Sequence, residues 1–197
     1  MVSQSNIKGI DLDGGEFDRL LPDRNIRIRQ ARPSELPVLS QIARDSIPGA
    51  RVSDISLKML CRREPDTVFA FLRGTALVGG AAFLYLNCHG ADALMLDELD
   101  VHDPDPRFIT ARGEAPEAIY LWAIAGAGRS ALGHVAQRFA AARYCAADIF
   151  TRPVTASGIR LFADMAFAPT ASWRPGLWVY RRLANQIDSA LPLTKAA

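Results

Sequence analysis

Gly126 and Gly128 stand between an apolar run and a helix-patterned one, and at that juncture this sequence has the means for chemistry. Residues 119–125, Ile-Tyr-Leu-Trp-Ala-Ile-Ala, have the character of a buried strand. Past Gly126-Ala127-Gly128, the residues Leu132, Val135, Ala136 and Phe139 recur at i, i+3, i+4 and i+7, one face of an amphipathic helix. A strand that turns on glycine into a helix start gathers unpaired backbone N–H groups at the positive end of the helix dipole. Such donors suit a phosphate or pyrophosphate. A plain tight turn between strand and helix is the alternative reading.

Other chemistry-bearing residues are more dispersed. Asp97, Glu98, Asp100, Asp103 and Asp105 cluster around His102, but their spacing matches neither an EF-hand nor a His-x-x-x-His pair. A solvated acidic loop is expected there rather than a metal site, and its charge would attract a cationic amine. His89 and His134 stand alone. Cys61, Cys88 and Cys145 form no C-x-x-C pair, and their odd number without a secretory signal fits a reducing compartment. Cys145 is expected in the core. A Ser-His-Asp arrangement cannot be read from spacing, being a matter of spatial geometry.

Net charge is +2, too small to mark a nucleic-acid binder, and the pairs Arg62-Arg63 and Arg181-Arg182 are expected as solvated surface. The first 24 residues are broken by Lys8, Asp11, Asp13, Glu16 and Asp18, which excludes an apolar signal core. No uncharged run reaches transmembrane length. A cytoplasmic protein without membrane or nucleic-acid partners is expected.

The elements that must position the glycine turn can be placed in order. Residues 1–25 read as a flexible extension and 184–197 as a tail, leaving 26–183 as one domain. Ile26-Arg27-Ile28-Arg29 alternates like an edge strand. A helix follows from Ser34 as N-cap, with Pro37 in its first turn and Leu36, Leu39, Ile42, Ala43 and Ile47 buried. A second helix spans 53–63, its apolar residues being Ile55, Met59 and Leu60, and Pro65 stops it. Strands at 67–72 and 76–86 form a hairpin about Arg73-Gly74-Thr75, and Gly79-Gly80 marks a bulge or a close backbone approach. Residues 88–118 form an acidic, proline-bearing insert with a short strand or helix at 94–101 and a long loop. After the glycine turn come a strand at 148–151, a helix at 155–165 capped by Thr155, and a strand at 177–183.

This order resembles the GNAT acetyltransferase superfamily over residues 26–183. Four segments carry the likeness: residues 28–36 as opening strand and helix start, Leu77-Val78-Gly79-Gly80-Ala81 as third strand, Gly126-Ala127-Gly128 with Leu132 as the CoA pyrophosphate loop, and residues 158–167 as the late helix. The resemblance implies an α/β (α+β) fold, a GNAT-like mixed, mostly antiparallel sheet flanked by helices. It implies an acyl-CoA-dependent N-acyltransferase that passes an acetyl group from acetyl-CoA directly to a primary amine on a small molecule or peptide, and a possible homodimer. By the same likeness, backbone near Ile124 contacts the pantetheine arm. Gly126, Ala127, Gly128, Arg129, Ser130 and Ala131 cradle the pyrophosphate. Tyr120 and Glu117 lie where the family carries its base. Trp122, Trp173 and Trp178 are further candidates for lining an acyl or substrate cleft. The chain departs from the pattern at Ala123, where the family has Gln or Arg, at Phe162, where it often has tyrosine, and at Ala166, where it has glycine. Those departures keep two alternatives open: a catalytically weak CoA- or partner-binding module, and an acyltransferase using a longer acyl donor.

Overall fold

A computed structural model describes residues 25–182, apart from Val52, Ala127 and Ala140 and the side chains of residues 128–130 and 137. The extension at 1–25 (Asn25 excepted) and the tail at 184–197 lie outside the described residues, and so does Ala127 of the glycine turn. The elements are β1 (Ile26–Gln30), α1 (Leu36–Ser46), α2 (Asp54–Arg63), β2 (Val68–Arg73), β3 (Ala76–Leu86), α3 (Cys88–Met95), β4 (Ala118–Ala125), α4 (Gly128–Phe139), β5 (Asp148–Thr151), α5 (Ala156–Asp164), β6 (Ala168–Pro169) and β7 (Trp178–Tyr180). The strands form one sheet in the order β1-β2-β3-β4-β5-β7-β6, antiparallel except where β5 runs parallel to β4. This is the mixed, mostly antiparallel sheet flanked by helices that the sequence predicts.

Period-two alternation along the strands sorts the layers. Phe69, Phe71, Phe83 and Tyr85 share one core with Leu132, Val135 and Phe139 of α4 and Phe162 of α5. The rings of Phe83 and Phe139 meet edge to face with centroids 4.9 Å apart. The alternate residues Val68 and Ala70 lie with Leu36, Leu39 and Leu57 of α1 and α2, while Leu84 and Leu86 lie with Leu94, Leu99, Val101 and Ile109. A buried carboxylate ties α4 to the sheet: Asp66 accepts from Gln30 Nε2 at 2.7 Å, from the Tyr144 hydroxyl at 2.9 Å and from the Arg138 guanidinium.

Several expectations need correction. Ser34 does not cap α1: residues Pro33–Glu35 form a 3-10 turn, and the N–H of Arg32 just before it is met by the Glu35 carboxylate at 2.8 Å. On α2, Ile55 (80% exposed) and Met59 face outward, because Leu57 and Leu60 occupy the buried stripe with Ser56. The 88–118 insert is a packed unit rather than a long loop. Asn87 caps α3, Leu94 and Leu99 are buried, and Leu86 bridges to Ile109. Its acidic residues serve turns: Asp105 accepts from the Arg107 N–H, Asp100 from that of His102, and Asp97 pairs with Arg174. Cys145 is exposed rather than core. Arg182 is buried, its N–H bonded to Asp148, and Arg63 donates to the Ile109 carbonyl. The two-residue strand β6 has too little pattern to be read from sequence.

Candidate active-site cleft

The site begins with a failure of strand pairing. β4 and β5 run side by side only from Ala118↔Asp148 to Leu121↔Thr151. Thr151 is the last residue of β5, and its hydroxyl donates to the Leu121 carbonyl at 3.3 Å. On β4 the register against β3 slips between Ala123 and Leu121, so Trp122 is an extra, bulged residue. Among the described residues, 122–125 therefore have no strand on their β5 side, and their backbone polar groups on that side are open to a ligand or to water.

The parted strands open a cleft of about 480 Å³. Its floor is the backbone stretch Leu121–Gly126; one wall is the segment from Thr151 to Phe162, and the other includes Ser46 and Ile47 from the end of α1. That volume lies in the range of small-molecule sites. Two guanidinium groups, Arg73 and Arg152, border it, and its described lining contains no Asp, Glu, His, Cys or Tyr. The described lining thus carries positive side chains and no negative one.

The two sequence-predicted glycine features meet here. Gly126 has φ +83°, and a Cβ on it would lie 2.1 Å from the Val78 carbonyl oxygen and 2.6 Å from Gly79 Cα. A Cβ on Gly79 would lie 2.3 Å from the Ala125 oxygen. The end of β4 thus crosses β3 backbone to backbone, which only glycine permits. Immediately beyond, Gly128 opens α4, whose first N–H groups lack intrahelical partners. Ala131 is buried, holding the start of the helix against the sheet.

Ile124 and Gly126 border the cleft as predicted. Gly128, Arg129, Ser130 and Ala131 form the first turn of α4; the side chains of Arg129 and Ser130 lie outside the described residues. Tyr120 and Glu117 do not border it. Tyr120 is 4% exposed among Leu84, Leu99 and Leu177, and burial raises its phenol pKa above the ordinary value. Glu117 is exposed beyond the start of β4, at the far end from Gly126, with its N–H bonded to the Leu86 carbonyl. Trp122 does line the cleft, whereas Trp173 is 79% exposed and Trp178 packs against the core shared by α4 and α5. Sequence reasoning missed Arg73, Thr151, Arg152 and Ser157. The signal for Thr151 was the end of an apolar strand at Arg152-Pro153, but only the fold shows that it ends opposite the bulge.

Phe162 is buried, and its ring stands 5.1 Å from that of Phe167, edge to face. It borders the cleft but carries no exchangeable proton. Ala166 adopts φ +62°, so the glycine position of the resemblance keeps its left-handed backbone with an alanine on it.

No protein-family model matches the chain, and no curated protein does. Among solved structures it is similar to the loading GNATL domain of CurA from Lyngbya majuscula, with 13% identity over 79% of this chain and 97% of that one and a TM-score of 0.54. It is similar to an N-acetyltransferase from Staphylococcus aureus Mu50, at 13% identity over 80% and 98% with a TM-score of 0.50. A third neighbour is the GNAT-like decarboxylase GphF in complex with isobutyryl-CoA, at 21% identity over 70% and 71% with a TM-score of 0.45. The chain has the GNAT fold, as the sequence resemblance implies. No helix among the described residues is long and apolar enough to cross a membrane.

Proposed function

We propose that the chain is an acyltransferase that takes its acyl group from a CoA thioester and passes it to a primary amine. One observation carries this reading: an open, arginine-bordered cleft runs along unpaired β4 backbone and ends at the glycine crossing where α4 begins. In this reading the first N–H groups of α4 bind the pyrophosphate, and residues 122–125 offer backbone partners to the amides of the pantetheine arm. Arg152 and Arg73 add positive charge. The amine nitrogen attacks the thioester carbonyl. The C–N bond forms, the C–S bond breaks, and the thiolate leaves as the amine gives up a proton. Positioning and main-chain hydrogen bonds to the carbonyl oxygen supply the rate. With no Asp, Glu, His, Cys or Tyr in the described lining to act as a base, the proton leaves through water.

That same lining, with Phe162 in place of a hydroxyl-bearing residue, favours a second reading: a domain that binds CoA thioesters with little turnover. A CoA-release assay over a panel of amines with acetyl-CoA and longer acyl-CoAs separates the two. Saturable turnover on at least one amine supports the transferase. Saturable binding with no turnover supports the binding module, and failure of every thioester to bind at micromolar concentrations refutes both.

A further inference from the structure

A second, smaller cavity of about 30 Å³ lies on the α1–α2 side of the sheet. Leu39, Ala43, Leu57, Val68 and Ala82 make its apolar wall. Its one hydroxyl is that of Ser40, which is 1% exposed and whose Oγ has no hydrogen-bond partner. An orphaned buried hydroxyl is costly, and native structures retain such a group where something else meets it. The volume is that of about one liquid water, or one to two chain atoms.

The cavity adjoins the cleft. Trp122, Ala123 and Ala125 border both. Beyond Leu121 and Thr151 the parted strands no longer separate the two faces of the sheet, and the cleft itself reaches from α5 on one face to Ser46 and Ile47 of α1 on the other. A group held in the cleft at Trp122 thus has a small, half-open apolar chamber beside it, with one hydroxyl in its wall. A short acyl end that carries an oxygen matches both the small size of the chamber and its one hydroxyl.

Resting on the acyl-CoA reading above, we propose that this chamber receives the end of a three-carbon acyl group bearing a terminal oxygen, and that Ser40 Oγ hydrogen-bonds that oxygen. Ser40 is then a specificity-determining residue, and Ala43 sets the depth of the chamber. The proposal selects among acyl donors; it leaves the amine acceptor open.

Calorimetric titration of free CoA, propionyl-CoA and 3-hydroxypropionyl-CoA tests it on the full chain, on Ser40→Ala and on Ala43→Val. The wild type should bind 3-hydroxypropionyl-CoA about tenfold tighter than propionyl-CoA, the scale of one buried hydrogen bond. Ser40→Ala should erase that ratio. Ala43→Val, which adds two methyl groups to the wall, should weaken both three-carbon thioesters relative to free CoA. Equal wild-type affinities for the two thioesters, as a water held by Ser40 would give, overturn the proposal, and so does a ratio that survives Ser40→Ala. Free CoA carries no acyl group and never enters the chamber. Its failure to bind would therefore refute the CoA reading itself, whereas its binding without acyl discrimination refutes only the chamber.

Discussion

Replacing Ala166 by glycine should stabilise this protein, although most substitutions do the opposite. The reason is the end of α5. The Phe167 N–H donates to the Phe162 carbonyl at 3.0 Å and the Ala166 N–H to that of Ala163 at 3.1 Å, the paired bonds of a Schellman motif. The Phe162 and Phe167 rings supply its apolar contact. The motif needs a left-handed residue at Ala166, where φ is +62°. An L side chain there costs about 1–2 kcal/mol. Glycine removes that cost and adds about 0.4–1 kcal/mol of unfolded-state freedom. The difference is a gain of about 0.5–1 kcal/mol, or about 1–4 °C in Tm for a chain of this size. Ala163→Gly is the control: Ala163 lies inside the same helix, is exposed and gains nothing, so it should lose about 1 kcal/mol. Urea unfolding of the three proteins, with m unchanged, measures both signs. If Ala166→Gly destabilises as much as Ala163→Gly, the left-handed cap is wrong, and with it the placement of the α5 wall of the cleft.

Asp66→Ala strips Tyr144 and Gln30 of their acceptor; because Arg138 is half exposed, its charge can turn to solvent, and the loss should be about 2–3 kcal/mol by urea unfolding. Burial pushes the Asp66 carboxyl up, but hydrogen bonds from Gln30, Tyr144 and Arg138 outweigh it and hold its pKa below the ordinary value. Its stabilisation is thus complete above about pH 4 and should fade as pH drops through the lower folded value, a loss that Asp66→Asn would not show. In turnover assays, kcat/KM should rise with pH to a plateau that moves with the pKa of the acceptor amine; an inflection fixed across amines would place a protein base in the cleft. Gly128→Val should abolish CoA binding while the far-ultraviolet dichroism stays unchanged. Gly126 cannot serve that test, since any side chain there strikes the Val78 carbonyl whether or not a ligand binds.

The sheet and its flanking helices were legible because their signals are local. Strand alternation at 26–29, the hairpin at 67–86, the Thr155 cap and the helix face of 132–139 each depend on neighbours in sequence. The meeting of Gly79 with Gly126 was half legible: a close approach was signalled at one glycine and a turn at the other, but not that each is the other's reason. The insert was misjudged because its order comes from distant partners, Ile109 against Leu86 and Arg174 against Leu99. The cleft wall from Thr151 to Phe162 was invisible for a similar reason, since a strand that stops early has meaning only beside the strand that continues. Tyr120 was favoured by its position along β4, and sequence cannot tell that its ring turns to the α3 side.

The central claim is that the cleft along residues 122–126 holds a CoA thioester with its pyrophosphate at the start of α4. A crystal structure of the CoA complex tests it most directly. The account predicts pyrophosphate oxygens within hydrogen-bond distance of the backbone N–H groups of residues 128–131, with the pantetheine arm alongside Trp122 to Ala125. CoA bound elsewhere, or a cleft that stays empty at millimolar CoA, would contradict it.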